Sequence, residues 1–169
     1  MKNLKQFVIQ FESLKIGNHD FHFKIDQAFF EELGSEEISK GNFQVDLDFE
    51  KMSTMLVLNF KIKGSVLLSC DRCLEDFHYQ LETTQKLYVK FGEESYEESD
   101  DVYVLASNKA EIDLSQFIFE YILLAIPQRR VHDEKDCDPE IVKLLNKNQQ
   151  AQPKEEESDP RWDALKNLN

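Results

Sequence analysis

The sequence has no run approaching the roughly 20 apolar residues that a membrane-spanning helix needs, although 41% of its 169 residues are hydrophobic. Its opening residues, Met1-Lys2-Asn3-Leu4-Lys5, lead into an alternating segment and lack the apolar core and small-residue cleavage site of a secretory leader. Cysteine is scarce, with only Cys70, Cys73 and Cys137. Three thiols, two of them a Cys-x-x-Cys pair, do not make a disulfide framework and fit a reducing compartment. The expectation is a cytoplasmic protein. Also missing are a Gly-rich phosphate loop, a Ser nucleophile elbow, a His-rich cluster and any internal repeat. Carboxylate pairs abound, but in a chain with 33 Asp plus Glu they single out nothing. These absences leave no basis for an enzyme.

A basic excess is missing too. Against 33 acidic residues stand 20 Lys plus Arg, for a net charge of -13. Such a chain repels phosphate backbones and anionic membranes at long range and attracts basic partners. The length suits one domain with a single core of ordinary size.

The hydrophobic pattern is mostly of period two. Phe7, Ile9 and Phe11 share one parity, as do Phe21, Phe23 and Ile25 beyond Gly17-Asn18, which predicts two half-buried strands joined by a turn. Asp26 can cap a short helix presenting Phe29, Phe30 and Leu33 and ended by Gly34. Phe43, Val45, Leu47 and Phe49 alternate with polar residues, and after residues 51–53 the parity flips to Leu56, Leu58, Phe60 and Ile62, as in a hairpin. A strand reaches Leu68 and stops at Cys70-Asp71-Arg72-Cys73. Then Phe77, Tyr79, Leu81, Leu87, Val89 and Phe91 predict one long strand, with a bulge expected near Thr83-Thr84.

Residues 93–101 read as an acidic loop, and 102–105 as a further short strand. The best helix covers 113–125. Asp113 and Gln116 have capping-box spacing, Ile112 and Phe117 staple spacing, and Pro127 follows its end. Its stripe of Leu114, Phe117, Ile118, Tyr121, Ile122 and Ala125 is placed to cover the sheet. Asp138-Pro139 can start a helix with Ile141, Leu144 and Leu145 inward. The expected fold is therefore α+β: a curved antiparallel sheet or open β-barrel with one covering helix and a short helical C-terminal extension. Residues 1–145 form the single domain, and 146–169 a polar linker and a short helix carrying Trp162.

The Cys70/Cys73 pair admits four readings. In a zinc knuckle, a tight turn between strands lets two thiolates converge on a tetrahedral ion about 2.3 Å away. A thioredoxin-type pair instead needs a following helix N-terminus, where this chain is strand-like. A fortuitous disulfide and two small residues at a hairpin tip complete the set. Zinc needs two more ligands, and His132 and Cys137 offer them from a charged loop. A Cys₃His site of Cys70, Cys73, His132 and Cys137 would be structural, with no open position, and would pin the C-terminal part to the sheet. The spacing alone does not show that the two halves meet. His19, His22 and His78 read as solvated strand residues.

Lys61, Lys63, Arg72 and Lys86 can line up as a positive strip, with Arg129 and Arg130 as a second cluster near His132. Such lysines either touch RNA or are solvated charges that block edge pairing. Trp162, the single Trp, either docks on its own core or inserts into a partner.

Three runs together resemble a known family. They are Val66-Leu67-Leu68-Ser69-Cys70-Asp71-Arg72-Cys73-Leu74-Glu75-Asp76-Phe77, the sequence Glu111-Ile112-Asp113-Leu114 with its helix ending Ala125-Ile126-Pro127, and Asp159-Pro160-Arg161-Trp162-Asp163-Ala164-Leu165. Their order and spacing are similar to those of the YceD-like family of bacteria and plastids. The resemblance implies a role in accumulation of large-subunit ribosomal RNA, and the family's genes often neighbour that of a small basic large-subunit ribosomal protein. Many members carry several cysteines after the helix, and this chain departs from them in having only Cys137, with His132 nearby. The functional expectations are a non-enzymatic ribosome-biogenesis factor binding a ribosomal protein or pre-ribosomal particle, a direct RNA-binding module with structural zinc, or a Cys-x-x-Cys thiol oxidoreductase.

Overall fold

The computed structural model describes residues 4–35, 38 and 40–150. The expected polar linker from 151 onward, the short terminal helix and Trp162 lie outside the described residues.

The core of the fold is an antiparallel run of four strands: β2 (Gly17–Ile25), β3 (Gly41–Lys51), β4 (Met55–Ser69) and β5 (Asp76–Gly92). Along each the more buried residues broadly alternate with exposed ones, so one face is apolar and the other wet. On β3 the buried set is Phe43, Val45, Leu47 and Phe49, and on β4 it is Leu56, Leu58, Phe60, Ile62, Val66 and Leu68. The predicted hairpin between them closes with the Met52 amide donating to the Met55 carbonyl at 3.0 Å.

No bulge interrupts β5, because Thr83 and Thr84 pair in register with Ile62 and Lys61. Its apolar residues are odd-numbered from Phe77 to Phe91, so the phase needs no correction.

Two further strands extend the sheet. β6 (Tyr96–Ser99) lies within the stretch expected to be an acidic loop, and β7 (Val102–Ala106) pairs parallel to β5 and antiparallel to β6. The order is β2-β3-β4-β5-β7-β6, an open sheet of six strands, mostly antiparallel. All four residues of β6 are exposed, so no hydrophobic period marks it in the sequence.

The N-terminal expectation fails in form. Instead of a strand paired to β2, the chain makes 3-10 turns at Leu4–Phe7 and Phe11–Ser13 around β1 (Val8–Ile9). β1 pairs with β8 (Ile112–Asp113), far along the chain. Phe7, Ile9 and Phe11 are buried all the same. Compact turns can bury alternate residues as a strand does, so period two misassigned the conformation but found the core residues. Phe7 packs on Phe23 and Phe29 at 5.4 and 4.9 Å between ring centroids. The Lys51 ammonium donates to the Phe11 and Leu14 carbonyls at 2.8 Å and to that of Glu12 at 3.2 Å, tying this segment to the end of β3.

α1 (Gln27–Glu32) starts as expected, with the Asp26 carboxylate accepting from the Phe29 amide at 3.3 Å. It ends at Gly34, whose φ of 69° suits a residue without Cβ. α2 (Ser115–Ala125) covers the apolar face, with Tyr121 against Phe60 and Phe117 against Tyr103, each pair at 5.3 Å. Its start is not a capping box. Asp113 accepts from the Ser115 amide and hydroxyl at 2.9 and 2.7 Å, while Gln116 turns away to Glu120.

α3 (Pro139–Gln150) begins at the Asp138 cap and continues past position 145 into the polar stretch. Ile141 and Val142 turn inward, whereas Leu144 is 62% and Leu145 39% exposed, contrary to the expected inward set.

Candidate metal centre

The turn between β4 and β5 is folded by its own backbone. The Leu74 amide donates to the Cys70 carbonyl at 2.8 Å and the Cys70 amide to the Glu75 carbonyl at 2.9 Å. Leu74 takes a φ of 65°, unusual for a leucine, and its side chain is exposed. This wrapping turns both cysteines inward, and Cys70 and Cys73 are buried.

A second segment crosses the turn after α2. The Asp71 amide donates to the Arg130 carbonyl at 2.7 Å, and the Asp71 carboxylate accepts from the Arg130 amide at 2.7 Å. This two-way clamp fixes the register between the turn and residues 130–137. It brings His132 and Cys137 onto Cys70 and Cys73, so that one ligand atom from each lies within 4.8 Å of the other three. The Cys73 sulfur is 3.2 Å from His132 Nε2, and the Cys137 sulfur 3.8 to 3.9 Å from the two ring nitrogens. The cysteines form a small cluster of their own, packed by Phe77, Val131, Ile141 and Val142.

The His132 ring is oriented from outside. Its Nδ1 is 3.1 Å from the Asp133 carbonyl and so carries the proton, which leaves the Nε2 lone pair facing the sulfurs. Phe77 meets the ring edge-on at 5.2 Å.

The sulfurs sit in unequal surroundings. Burial works to raise the Cys70 pKa, but the backbone N–H groups of Cys73, His132 and Arg72 outweigh it and bring the thiol down to about 6. The Arg72 amide is 3.4 Å from that sulfur. At Cys137, burial and then the Cys73 thiol raise the pKa to about 11, against the Arg72 guanidinium 3.6 Å away.

The set fits a tetrahedral ion in donor chemistry and in size. Zinc bound at the usual S and N distances has ligand-to-ligand edges of about 3.5–3.8 Å, within the spread observed here. A thioredoxin-like arrangement is not what the turn makes, since β5 follows Cys73 where that chemistry uses a helix N-terminus.

The remaining candidates are dispersed. Lys61 and Lys63 stand on the wet face of β4, opposite Asp46 and Gln44 of β3, and Lys63 pairs with Glu82 at 2.9 Å. Lys86 lies over the Tyr88 ring at 4.8 Å, and a hydrogen bond to the Tyr88 side chain, with the charge attraction beside it, raises its pKa. Arg72 does not join this strip, because its guanidinium turns to Cys137. Arg129 is exposed beside the cysteine centre, where with Asp71, Arg72 and Glu134 it lines a cleft of about 360 Å³. Arg130 is half-buried there, and its backbone serves the clamp. His19 bonds to the Lys15 carbonyl and His22 to Asp46, each at 2.7 Å, and His78 is exposed on β5. Sequence reasoning missed Asp71, the clamp, and Phe77, the ring support, as parts of this centre. Nothing in the periodicity distinguishes either residue.

The model of the family described as large ribosomal RNA subunit accumulation protein YceD matches residues 58–169. The chain belongs to the YceD family. The matched span opens inside β4 and takes in the Cys-x-x-Cys turn, α2, the His132/Cys137 segment and the Trp162 tail. A relative in the YceD family is uncharacterized protein YlbN of Bacillus subtilis (strain 168). It is 31% identical over 119 residues, or 69% of this chain and 67% of the relative. No solved structure matches the chain. The YceD name itself ties the family to the large ribosomal subunit's RNA. No helix among the described residues is long and apolar enough to cross a membrane.

Proposed function

We propose that the chain is a non-enzymatic, cytoplasmic factor that supports large-subunit ribosomal RNA accumulation by binding a basic ribosomal protein or a pre-ribosomal particle. The observation that carries this reading is the family match across 58–169 on a chain whose net charge is -13. A surface of that sign repels naked RNA and attracts the basic proteins that coat it. Cys70, Cys73, His132 and Cys137 hold a structural zinc ion in this reading. The ion would supply a cross-link between the β4–β5 turn and the segment leading to α3, and with all four positions filled by protein it has no site for substrate or water. The lysines of the wet face are partly offset by neighbouring acids, as in the Lys63–Glu82 pair, which favours a protein partner over an RNA strip.

Native purification of the full chain should recover large-subunit ribosomal proteins or particles. Recovery should fall by about tenfold or more between low and moderately high salt, as expected of charge-steered association. Recovery equal to that of an unrelated protein of the same net charge rejects the reading. A Lys61→Glu/Lys63→Glu variant should retain the association, and complete loss would move the interface to the strip.

A further inference from the structure

The C-terminal half of α2 does not seal the sheet beneath it. Between the helix and β5, β6 and β7 runs a cleft of about 360 Å³ that reaches Leu87, Phe117 and Tyr121 within, a size in the range of ligand clefts. Glu97, Asp100, Asp101 and Glu120 also line it. At its mouth stands Leu124, 77% exposed on a helix that is otherwise largely apolar.

Among the residues that line the cleft, one buried polar atom has nothing to bond. Tyr121 is only 7% exposed, and its phenolic oxygen has no hydrogen-bond partner among the described residues. A buried hydroxyl left in that state costs stability, so an unmade bond there marks a place for a donor from outside. The phenol senses the acidic rim directly: burial, then Asp101, Glu120 and Glu97 in that order, raise its pKa to about 12.

From these features we infer that the α2/β5–β7 cleft is a docking site for an arginine- or lysine-bearing segment of a basic protein, with Tyr121 accepting a hydrogen bond from the inserted cation. The acidic rim supplies the charge complement, and Leu124 with Phe117 offers apolar contact for the stem of the long side chain. The chain's own tail is a poorer match by charge. Residues 151–169 contain Lys154, Arg161 and Lys166 but also Glu155, Glu156, Glu157, Asp159 and Asp163. The inference rests on reading the chain as a binder of basic ribosomal components and assigns that binding to one place.

The test is titration of the full-length protein into a fluorescein-labelled hexa-arginine peptide, followed by anisotropy. Combined Glu97→Gln, Asp101→Asn and Glu120→Gln should weaken binding about tenfold or more, because close charge pairs dominate such contacts. Combined Glu12→Gln, Asp20→Asn and Asp48→Asn, which remove the same charge elsewhere, should change it less than about twofold by loss of long-range attraction alone. Tyr121→Phe should leave the melting temperature unchanged or raised, yet weaken the peptide by about three- to tenfold through the lost acceptor. That split separates a binding role from a structural one.

Equal weakening by both triple variants, or none by the first, overturns the inference. So does a Trp162→Ala full-length variant that binds the peptide several-fold tighter, since the tail would then be the occupant. Native co-purification tells the two levels apart. If the Glu97/Asp101/Glu120 variant still recovers ribosomal material, the cleft assignment fails alone. If the unaltered protein recovers none beyond an acidic control, the broader reading fails.

Discussion

Full-length protein purified without chelators should carry about one zinc per chain, and Cys137→Ser or His132→Ala should reduce that to near zero, as for a closed four-ligand site. The fall should be steep because each ligand is one of four and the remaining three leave an open shell. A chain unable to hold the ion would also lose the seat of α3. Ile141 and Val142 pack against the cysteine cluster, while Leu144 and Leu145 lie toward solvent. Little else among the described residues holds that helix to the domain. Loss of a structural metal belongs to the mutational class with effects on the order of 3–5 kcal/mol, or roughly 10 °C in melting temperature at this size. Limited proteolysis should then cut between α2 and α3 while the sheet survives. Cobalt substitution gives a second readout, since a tetrahedral thiolate-rich site produces a strong visible spectrum that either variant should abolish. A chelator-free preparation without zinc, and without uptake of an equivalent added later, would sink the assignment.

The second large effect is expected far from any ligand. Gly64 lies in the interior of β4, opposite Phe43 of β3. A Cβ there would run into the Asn42 carbonyl oxygen, with the Phe43 ring at 2.6 Å and its Cα at 2.7 Å. Two of those obstacles are backbone and cannot rotate away. Gly64→Ala should therefore displace β3 from β4 and cost about 3 kcal/mol, the upper part of the range for overpacking. Ser65→Ala, one residue on and less buried than the core positions, should stay within about 0.5 kcal/mol. Denaturant unfolding of the two variants decides the matter. A Gly64→Ala protein as stable as the parent would mean that the two strands can separate without loss.

What the sequence disclosed follows from how each element is solvated. β3, β4 and β5 each have one dry and one wet face, so alternation named their buried residues and the parity flip at residues 51–53 named the hairpin. α1 and α2 carry their stop and start chemistry in Asp26, Gly34 and Asp113. β6 was hidden because all four of its side chains are exposed, two of them the acids Glu97 and Glu98, and with it the parallel insertion of β7. The candidate metal centre was half legible. Cys-x-x-Cys at a strand end and a His/Cys pair in a charged loop mark donors, but their meeting depends on the clamp between Asp71 and Arg130, one bond of it backbone to backbone and the other from the Arg130 amide to the Asp71 carboxylate. A bond to a main-chain amide 59 residues away leaves no trace in side-chain pattern. The acidic cleft was not legible either, because its walls come from α2, β5, β6 and β7 at once.

The pairing of β1 with β8 sets the order in which the molecule can be completed. Strands β2 to β5 pair with their sequence neighbours and can zip up in turn, since short loops close at small entropic expense. Val8, by contrast, waits for Asp113, and the Phe7 carbonyl for the Leu114 amide, which it accepts at 3.1 Å. During synthesis from the N-terminal side, β1 must stay without its strand partner until residues 112–114 have been made. The β1 segment thus completes its backbone pairing late, although Phe7 already has Phe23 and Phe29 to pack on. In pulsed hydrogen exchange during refolding, the Leu114 amide should gain protection after the amides shared by β3 and β4, and simultaneous protection would contradict that sequence of events.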